Sequence, residues 1–316
     1  MVPTRPFGAD YAGARALVLG ATGFVGRWTS RLLDQAGAQI VLGVRDPAAA
    51  AGMAGEPVVA DLAVPGRVTE LLERVRPAIV FNLAGYGVDP SEPRDVALSH
   101  RLNADLPGEL CRALAGGRPA RRLVHMGSGI EYGSAGGNLD EETPARPETL
   151  YARSKMAGTR EVTTLCPALG VKGLTVRAFM VYGPGEQDGR LLPSLLRTAA
   201  SGEVLDLTAG DQRRDFTYVE DVAEGLLRLG LSAAPPGAIV NLATGRLTRV
   251  REFCEVAAGI LGIPDDRLQY GALPARAEEM VHVDVSLTRL RRWTGWAPTT
   301  DIAAGIARTR DFGTRP

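Results

Sequence analysis

The chain has 316 residues, of which 45% are hydrophobic, and its 36 Lys and Arg residues balance 36 Asp and Glu residues. A neutral chain of this length can bury a large core, but its charge does not favour binding to nucleic acid or to a membrane surface. No apolar run has the length of a membrane span, and residues 1–15 lack the sections of a signal peptide, so we expect a cytoplasmic protein. The 3 cysteines and 3 histidines are scattered, which favours neither a disulfide framework nor a metal site.

The first predicted elements are a strand over residues 16–19, a glycine-rich turn and a helix; residues 1–14, which contain Pro and Gly, are expected to form a loosely held tail. Glycines spaced three apart permit a tight turn, close approach of a phosphate and close packing of the helix. The helix N-terminus adds free N–H groups and a partial positive charge. We therefore predict a dinucleotide cradle; the alternative is a turn without a ligand. Its residues are Gly20, Thr22, Gly23, Phe24, Val25 and Gly26.

Apolar runs and helical patterns alternate through the rest of the first half of the chain. The runs are continuous rather than alternating in and out, which is typical of parallel strands covered on both faces. The pattern therefore predicts an α/β fold with a doubly wound parallel sheet. The predicted strands are 40–44, 58–62, 78–85 and 123–126, and the predicted helices between them are 66–76 and 93–115.

Two positions after the glycine turn bear on the adenosine half of the dinucleotide. Arg45 and Asp46 follow the second strand, about twenty residues past the glycines, where a ribose-binding residue is expected. Arg45 suits the 2′-phosphate of NADP, whereas Asp46 could serve NAD, so NADP is favoured and NAD remains the alternative. Asp61 ends the third strand and is placed to meet the adenine.

A polar group of residues follows the fifth strand, at the edge of the sheet where ligands bind. Ser128 ends that strand, and Tyr151 and Lys155 lie four apart on a predicted helix, hence on one face. A phenol titrates near pH 10, about three units too high for neutral proton exchange, and a neighbouring ammonium favours the phenolate. Tyr151 is thus a candidate acid or base for a carbonyl, and Ser128 a hydrogen-bond donor to the same oxygen.

These motifs together resemble the extended short-chain dehydrogenase/reductase family, in its nucleotide-sugar epimerase, dehydratase and reductase group. The resemblance covers almost the whole chain. It also includes Asp61-Leu62, Asn82-Leu83-Ala84-Gly85, Tyr132-Gly133, Arg177, Tyr182-Gly183-Pro184-Gly185, Arg214-Asp215-Phe216-Thr217-Tyr218-Val219-Glu220-Asp221-Val222, Asn241-Leu242-Ala243-Thr244-Gly245 and Gly295-Trp296-Ala297-Pro298.

The resemblance implies a Rossmann domain with a smaller C-terminal substrate domain, and a homodimer formed through the helices at 93–115 and 150–169. It implies that Ser128, Tyr151 and Lys155 are catalytic. It also places Asn103 near the active site, although a polar residue inside a helix is the alternative. Further cofactor contacts implied by the resemblance are Asp61, Leu62, Leu83, Ala84, Gly85, Tyr151 and Lys155.

Two departures from the family pattern narrow the expected activity. Sugar 4,6-dehydratases carry an acidic pair directly after the catalytic Ser or Thr, but this chain has Gly129 and Ile130 there. Glu131 is one place further and, on a continuing strand, would point the other way. Met180 stands where many relatives hold the nucleotide sugar with an Asn. Candidate ligands for the substrate diphosphate are Arg190, Arg214 and Arg276.

We therefore predict an NAD(P)H-dependent reductase of a nucleotide-linked 4-keto-6-deoxyhexose, with a nucleotide-diphosphate sugar as its substrate. An epimerase with internally recycled NAD is the first alternative, and a non-catalytic dinucleotide-binding sensor is the second. Proline-punctuated segments leave the alternating pattern, so the two domains are predicted to be interleaved. The dinucleotide-binding domain is assigned to residues 1–185 and 218–262, and the substrate-binding domain to residues 186–217 and 263–316.

Overall fold

The computed structural model describes residues 7, 10–87, 95–115, 121–274 and 282–312. Its first seven strands are β1 Arg15–Leu19, β2 Gln39–Val44, β3 Glu56–Val59, β4 Ile79–Asn82, β5 Arg122–Ser128, β6 Gly137–Leu139 and β7 Lys172–Ala178. The later strands are β8 Met180–Tyr182, β9 Leu205–Leu207, β10 Arg213–Tyr218, β11 Ala238–Leu242, β12 Leu247–Arg249, β13 Leu268–Tyr270 and β14 His282–Val285. The helices are α1 Phe24–Gln35, α2 Arg67–Val75, α3 Val96–His100, α4 Leu106–Leu114, α5 Leu150–Leu169, α6 Leu191–Ser201, α7 Val219–Leu231, α8 Val250–Leu261, α9 Thr288–Thr294 and α10 Ile302–Phe312.

Seven of these strands form a parallel central sheet in the order β3-β2-β1-β4-β5-β7-β11. The chain moves outward from β1 to β3 and then returns to place β4 on the other side of β1. The strand order therefore reverses between β1 and β4, and in doubly wound sheets ligands bind at the carboxyl ends of the strands at such a reversal. The predicted doubly wound α/β sheet is confirmed.

Both faces of the sheet are buried, which explains why the strands are continuous apolar runs. In β1, Val18 packs into the cluster on one face, whereas Leu17 and Leu19 pack into the cluster on the other. α1 and α7 cover the first face, and α2, α4 and α5 cover the second. Neighbouring residues of one strand thus need apolar side chains on both sides. In the described part of the chain, no helix combines the length and the apolar character needed to cross a membrane.

The expectation of a loosely held tail is wrong for the described residues near the amino end. Phe7 and Tyr11 are buried in the main core, with 4% and 1% of their surface exposed. The Tyr11 hydroxyl donates a hydrogen bond to the carbonyl oxygen of Leu227 at 2.7 Å. Two aromatic side chains outweigh the loop-forming Pro and Gly residues around them, because burying each ring stabilises the fold by about 2 kcal/mol.

The predicted helix over residues 93–115 forms, within its described part, one run built from α3, α4 and a π-helical turn between them, Arg101–Asp105. A π turn inserts one extra residue per turn and is often found at functional sites. Asn103 lies in this turn and is fully buried. The turn aims its side chain at the loop that follows β4.

A third hydrophobic cluster lies outside the central sheet and joins α6, α8 and α10. Two small sheets of the described chain, β12-β10-β8 and β13-β9, contribute residues to it. A further small sheet, β14-β6, lies apart from it, and Val285 of β14 packs into the main core. Phe216 and Phe253 stack at the centre of the third cluster, with their ring centroids 4.2 Å apart. Segments from distant parts of the sequence build this cluster, as interleaved domains would require. The proposed domain boundaries remain a prediction.

Candidate active site

The glycine turn packs directly against the loop after β4, at the reversal of the strand order. Gly20 has φ +73°, and a Cβ built on it would lie 2.7 Å from the main-chain nitrogen of Ala84. A Cβ on Gly26 would lie 2.1 Å from the carbonyl oxygen of Gly20. Both positions therefore exclude any side chain, as predicted for the first and third glycines. The turn brings the predicted cofactor residues Leu83 and Ala84 against Gly20.

The amino end of α1 has the properties of a phosphate-binding site. Gly23 is the N-cap residue; no side chain caps the helix and its first turn contains no acidic residue. The N–H groups of Phe24 and Val25 belong to this first turn, so they and the helix dipole favour an anion. Together with the side-chain-free cradle at Gly20, this end of α1 fits the pyrophosphate of a dinucleotide.

Arg27 is a residue of this region that the sequence motifs did not single out. Its guanidinium donates to the carbonyl oxygen of Thr22 at 3.0 Å and to that of Ala49 at 3.1 Å. It thus links the glycine turn to the short helical turn that follows β2. The signal in the sequence was its position directly after the third glycine.

The residues predicted for the adenosine half lie at the ends of β2 and β3. Arg45 and Asp46 directly follow β2; Arg45 is exposed, and Asp46 accepts a hydrogen bond from the N–H of Ala48 at 2.9 Å. Asp61 lies two residues past the end of β3 and accepts from the N–H of Ala63, whereas Leu62 is buried. Arg45 is therefore accessible to a ligand.

Lys155 is buried on α5 with its ammonium against β5. Its Nζ donates to the carbonyl oxygen of Met126 at 2.5 Å, two residues before Ser128. Burial lowers the pKa of Lys155 from 10.5 to about 8, and the charge of Glu131 opposes this effect. A Cβ on Gly85 would lie 3.7 Å from the same Nζ, so the ammonium also borders the loop after β4.

Tyr151 lies one helical turn before Lys155, near the start of α5. The Thr149 side chain caps this helix by accepting from the N–H of Ala152 at 3.0 Å, which fixes where the helix begins. A Cβ built on Gly87 would lie 3.8 Å from the Tyr151 ring. Tyr151 and Lys155 therefore both face the loop that follows β4, on the same side as the glycine turn.

Ser128 stands at the end of β5, where the strand turns into a short 3-10 helix over Gly129–Tyr132. Its hydroxyl accepts from the N–H of Ile130 at 3.4 Å, and the Glu131 carboxylate accepts from the Ser128 N–H at 2.7 Å. This is a capping box, which ends the strand and starts the turn. The chain therefore changes direction immediately after the predicted catalytic serine.

We expected Glu131 to point away from the site if it lay on a continuing strand. It lies instead in the 3-10 turn that follows β5. The 3-10 turn brings its side chain inward, where it is fully buried and pairs with the Arg177 guanidinium at 3.0 Å. Residues 129 and 130 still place no carboxylate beside Ser128. Glu131 is thus committed to two partners within the fold and does not replace the missing acidic pair.

Asn103 connects the π turn to the loop after β4. Its amide accepts from the N–H of Tyr86 at 3.0 Å and donates to the carbonyl oxygen of the same residue at 2.8 Å. The amide also donates to the Ser154 hydroxyl at 2.9 Å. Asn103 therefore holds the loop that borders Tyr151 and Lys155.

Two of the predicted substrate-binding arginines, Arg190 and Arg214, lie beyond the sheet edge, on the side of the third cluster. Arg190 contacts the sulfur of Met180 at 3.7 Å, and Arg214 lies on β10, the strand next to β8, which Met180 begins. Arg276 lies outside the described residues. Glu186, which the motifs did not single out, lies beside Arg190; burial raises its pKa to about 7, and Arg190 opposes this effect.

Within the described ranges, no group of three or more His, Cys, Asp and Glu side chains could hold a metal ion. The polar groups of the candidate site are instead the Ser128 hydroxyl, the Tyr151 phenol and the Lys155 ammonium. A hydroxyl and a phenol can donate hydrogen bonds to a carbonyl oxygen, and the phenol can also transfer a proton.

Comparison with known proteins agrees with this geometry. Residues 16–243 match the profile of the NAD dependent epimerase/dehydratase family. The chain is 32% identical over 309 residues to a dTDP-6-deoxy-L-talose 4-dehydrogenase (NAD(P)(+)) of Kitasatospora kifunensis, covering 93% of this chain and 94% of the relative. It is 29% identical to a UDP-glucose 4-epimerase of Mycolicibacterium smegmatis, covering 94% of this chain and 98% of the relative. The solved structure of MoeE5 in complex with UDP-glucose and NAD superimposes with a TM-score of 0.82, at 26% identity and over 95% of this chain and 98% of that one.

The fold and the cradle define a Rossmann-type protein that binds a nicotinamide dinucleotide. This chain belongs to the NAD dependent epimerase/dehydratase family, as the motifs predicted. It is an oxidoreductase of the extended short-chain type.

Proposed function

We propose that this protein uses NADPH to reduce the keto group of a nucleotide-linked 4-keto-6-deoxyhexose. The observation that carries the proposal is the buried Lys155 ammonium, held against β5 two residues before Ser128, with Tyr151 one turn earlier. This group borders the loop that also packs on the glycine cradle. The named activity of the Kitasatospora relative, a 4-dehydrogenase that acts on a 6-deoxy sugar nucleotide, supports the same chemistry.

The dinucleotide would supply the hydride, and the side chains of this chain would handle the substrate oxygen and its proton. Ser128 orients the carbonyl by donating a hydrogen bond from its hydroxyl. Tyr151 protonates the oxygen as its negative charge develops, so that the C=O becomes a CH–OH. Lys155 binds the ribose hydroxyls and stabilises the phenolate that remains on Tyr151. Gly20, Gly23 and the amino end of α1 hold the pyrophosphate.

The residues after Ser128 favour reduction over dehydration. Removing water from a hexose requires an acid and a base near the C5 and C6 positions, and Gly129 and Ile130 supply neither. Arg190 and Arg214, together with Arg276 outside the described residues, are proposed to bind the substrate diphosphate, because a guanidinium matches phosphate oxygens. Glu186, which pairs with Arg190, would then partly neutralise the positive charge of this surface.

The test measures NADPH consumption with dTDP- and GDP-linked 4-keto-6-deoxyhexoses as substrates. We expect stoichiometric oxidation of NADPH and formation of one 6-deoxyhexose product. A denaturing extract of the purified protein would identify any bound dinucleotide. Tightly bound NAD⁺ that turns over without net oxidation would refute the proposal.

An epimerase is the second candidate, and its support is the similarity to the mycolicibacterial UDP-glucose 4-epimerase over nearly the whole chain. The same three side chains would oxidise and then re-reduce one sugar carbon. This activity converts UDP-glucose to UDP-galactose without any added dinucleotide. Measuring that conversion beside NADPH consumption separates the two candidates.

Arg45 is proposed to select NADPH over NADH by contacting the 2′-phosphate. A charge-assisted hydrogen bond contributes about 1.5–3 kcal/mol, so Arg45→Ala should weaken NADPH binding roughly 10- to 100-fold. Binding of NADH, which lacks the phosphate, should stay unchanged. Equal losses for both dinucleotides would contradict this role.

A further inference from the structure

The turn after β5 contains a buried ion pair that touches the backbone of the proposed catalytic serine. One oxygen of Glu131 accepts from the Ser128 N–H at 2.7 Å, and the other pairs with Arg177 at 3.0 Å. The Glu131 side chain is fully buried, and that of Arg177 has 5% of its surface exposed. A carboxylate that accepts hydrogen bonds from both sides is fixed in position.

The residues next to Ser128 are shaped around this carboxylate. A Cβ on Gly127 would lie 2.6 Å from the Glu131 carboxylate, so only glycine leaves room for it. A Cβ on Gly129 would lie 2.8 Å from the Phe179 ring. Ser128 is thus held between a carboxylate on one side and an aromatic ring on the other. Its backbone cannot shift without disturbing one of them.

Arg177 in turn is fixed by Tyr132. Its guanidinium lies over the Tyr132 ring, 4.4 Å from the centroid, and the Tyr132 hydroxyl donates to the Asn241 side chain at 2.8 Å. The pair therefore ties β7 to the turn after β5, and Tyr132, on which Arg177 lies, ties the same turn to β11. A surface ion pair would not provide this, because solvent would let both side chains move.

The same carboxylate lies near Lys155, because Glu131 accepts from the Ser128 N–H and the Lys155 Nζ donates to the carbonyl oxygen of Met126, two residues earlier. The charged and titratable groups that act on or respond to that ammonium are Glu131 from the turn and His125 from β5, with Arg177 on the far side of Glu131. Tyr151 precedes Lys155 by one turn of its own helix. Burial, and then the Lys155 charge, lower the pKa of His125 well below its ordinary value, so that its imidazole is neutral. The negative charge of Glu131 thus offsets part of the cost of burying the Lys155 charge.

We propose that Glu131, held by Arg177, is a positioning residue that fixes Ser128 against the substrate carbonyl and balances the buried charge of Lys155. The inference rests on the proposed roles of Ser128 and Lys155. Glu131 touches neither substrate nor dinucleotide; it acts through the backbone of one residue and the charge of the other. The family motif around Ser128 does not assign it such a role.

The test compares Glu131→Gln and Glu131→Ala with the matched control Glu141→Gln. Glu141 is also a buried carboxylate that accepts a backbone N–H, from Asn241 at 2.9 Å, and faces Arg289 at 3.8 Å, but it contacts neither Ser128 nor Lys155. Each variant is measured for folding, for kcat and KM in sugar-nucleotide turnover, and for the pH dependence of NAD(P)H affinity. The last readout needs no sugar substrate, so it tests the inference even if the proposed reaction is wrong.

We expect Glu131→Ala to lower kcat roughly 10- to 100-fold with little change in KM, because Ser128 is no longer held in the reactive geometry. Glu131→Gln keeps an acceptor for the Ser128 N–H but loses the charge. It should lose less kcat and should move the alkaline loss of NAD(P)H affinity to lower pH. Glu141→Gln should leave kcat and that pH dependence unchanged.

Two results would overturn the proposal. One is a Glu131→Gln variant whose NAD(P)H affinity has the same pH dependence as that of the original protein. The other is a loss of kcat in Glu141→Gln equal to that in Glu131→Gln, which would show an effect of stability alone. If Glu131→Ala fails to fold, Glu131→Gln and its pH dependence still decide the question.

Discussion

Lys155 lies in an environment unlike that of an ordinary, solvent-exposed lysine. It is one of only two lysines in a chain with 36 basic residues, and 4% of its surface is exposed. Burial lowers its pKa to about 8, while the nearby Glu131 opposes the shift. An ammonium in this position can hold a ribose and stabilise a phenolate, but only while it stays protonated.

We therefore predict that turnover falls as the pH rises through about 8, because the Lys155 ammonium loses its proton there. The pH profile of kcat/KM measures this. Lys172→Met removes the other lysine, which is exposed, and should leave the profile unchanged. An alkaline limb that stays near 10 in the pH profile, as for an unperturbed lysine, would contradict the prediction.

The lowered pKa of Lys155 has the opposite effect on stability: raising the pH favours the folded protein at this residue. The unfolded lysine keeps its ordinary pKa of 10.5, so between about pH 8 and 10.5 the unfolded chain binds more protons at this residue than the folded one. The contribution of Lys155 to the free energy of unfolding then rises with pH across this window. Comparing denaturant unfolding of the original protein and Lys155→Met at both ends of the window isolates this contribution.

Tyr151→Phe removes the proposed proton donor and little else. We expect kcat/KM to fall by about 10²- to 10⁴-fold while dinucleotide binding is retained. Tyr270→Phe, which removes the same group from the third cluster, should keep its turnover. A Tyr151→Phe variant with full function would instead favour a non-catalytic sensor of the dinucleotide.

At the scale of elements, the path from β1 to α1 depends on main-chain contacts that a single methyl group would break. Gly26 lies in the first turn of α1 against the carbonyl oxygen of Gly20. Gly259 lies within α8 and has open space where a Cβ would be. The two helical glycines therefore differ in the room for a side chain: Gly26 has none and Gly259 has open space.

We predict that Gly26→Ala destabilises the protein by about 1–3 kcal/mol and weakens dinucleotide binding, because the helix must move away from the turn. Gly259→Ala should be neutral or stabilising by up to about 1 kcal/mol. Denaturant unfolding and dinucleotide titration measure both effects. Equal stability of the two variants would show that the close contact at Gly26 does not constrain the turn.

For the whole molecule, the proposed partner is a second copy of the chain. α3 and α5 carry exposed apolar residues at their ends: Val96 is 60% exposed and Leu150 is 41% exposed. Burying these two side chains against a second copy would remove their apolar surface from water. These helices lie within the segments, 93–115 and 150–169, that the family resemblance assigns to a dimer.

Light scattering on the purified protein should therefore give twice the chain mass of 33.4 kDa. Val96→Asp together with Leu150→Asp should shift the mass toward a single chain, because two buried carboxylates at an interface are costly. Val204→Asp together with Leu273→Asp serves as the control, because both residues are also exposed. A single-chain mass for the original protein would contradict the dimer.

The order of the elements could be predicted from sequence because each signal is local. The glycine spacing, the continuous apolar strands and the four-residue separation of Tyr151 and Lys155 all depend on residues that are near one another in the chain. The predicted strand over 123–126 and the helix ending at 169 agree with β5 and α5 within a few residues. The family and its cofactor class followed from the same local motifs.

The contacts that surround the candidate site could be seen only in the folded chain. Phe7 and Tyr11 join the core, the π turn aims Asn103 at Tyr86, and the turn at Gly129–Tyr132 brings Glu131 to Arg177. Each contact joins segments that are distant in sequence or depends on where one strand ends. Sequence alone thus determined which elements and chemical groups are present. The tertiary structure decided which groups are buried, charged and paired, because burial and charge depend on neighbours from other parts of the chain.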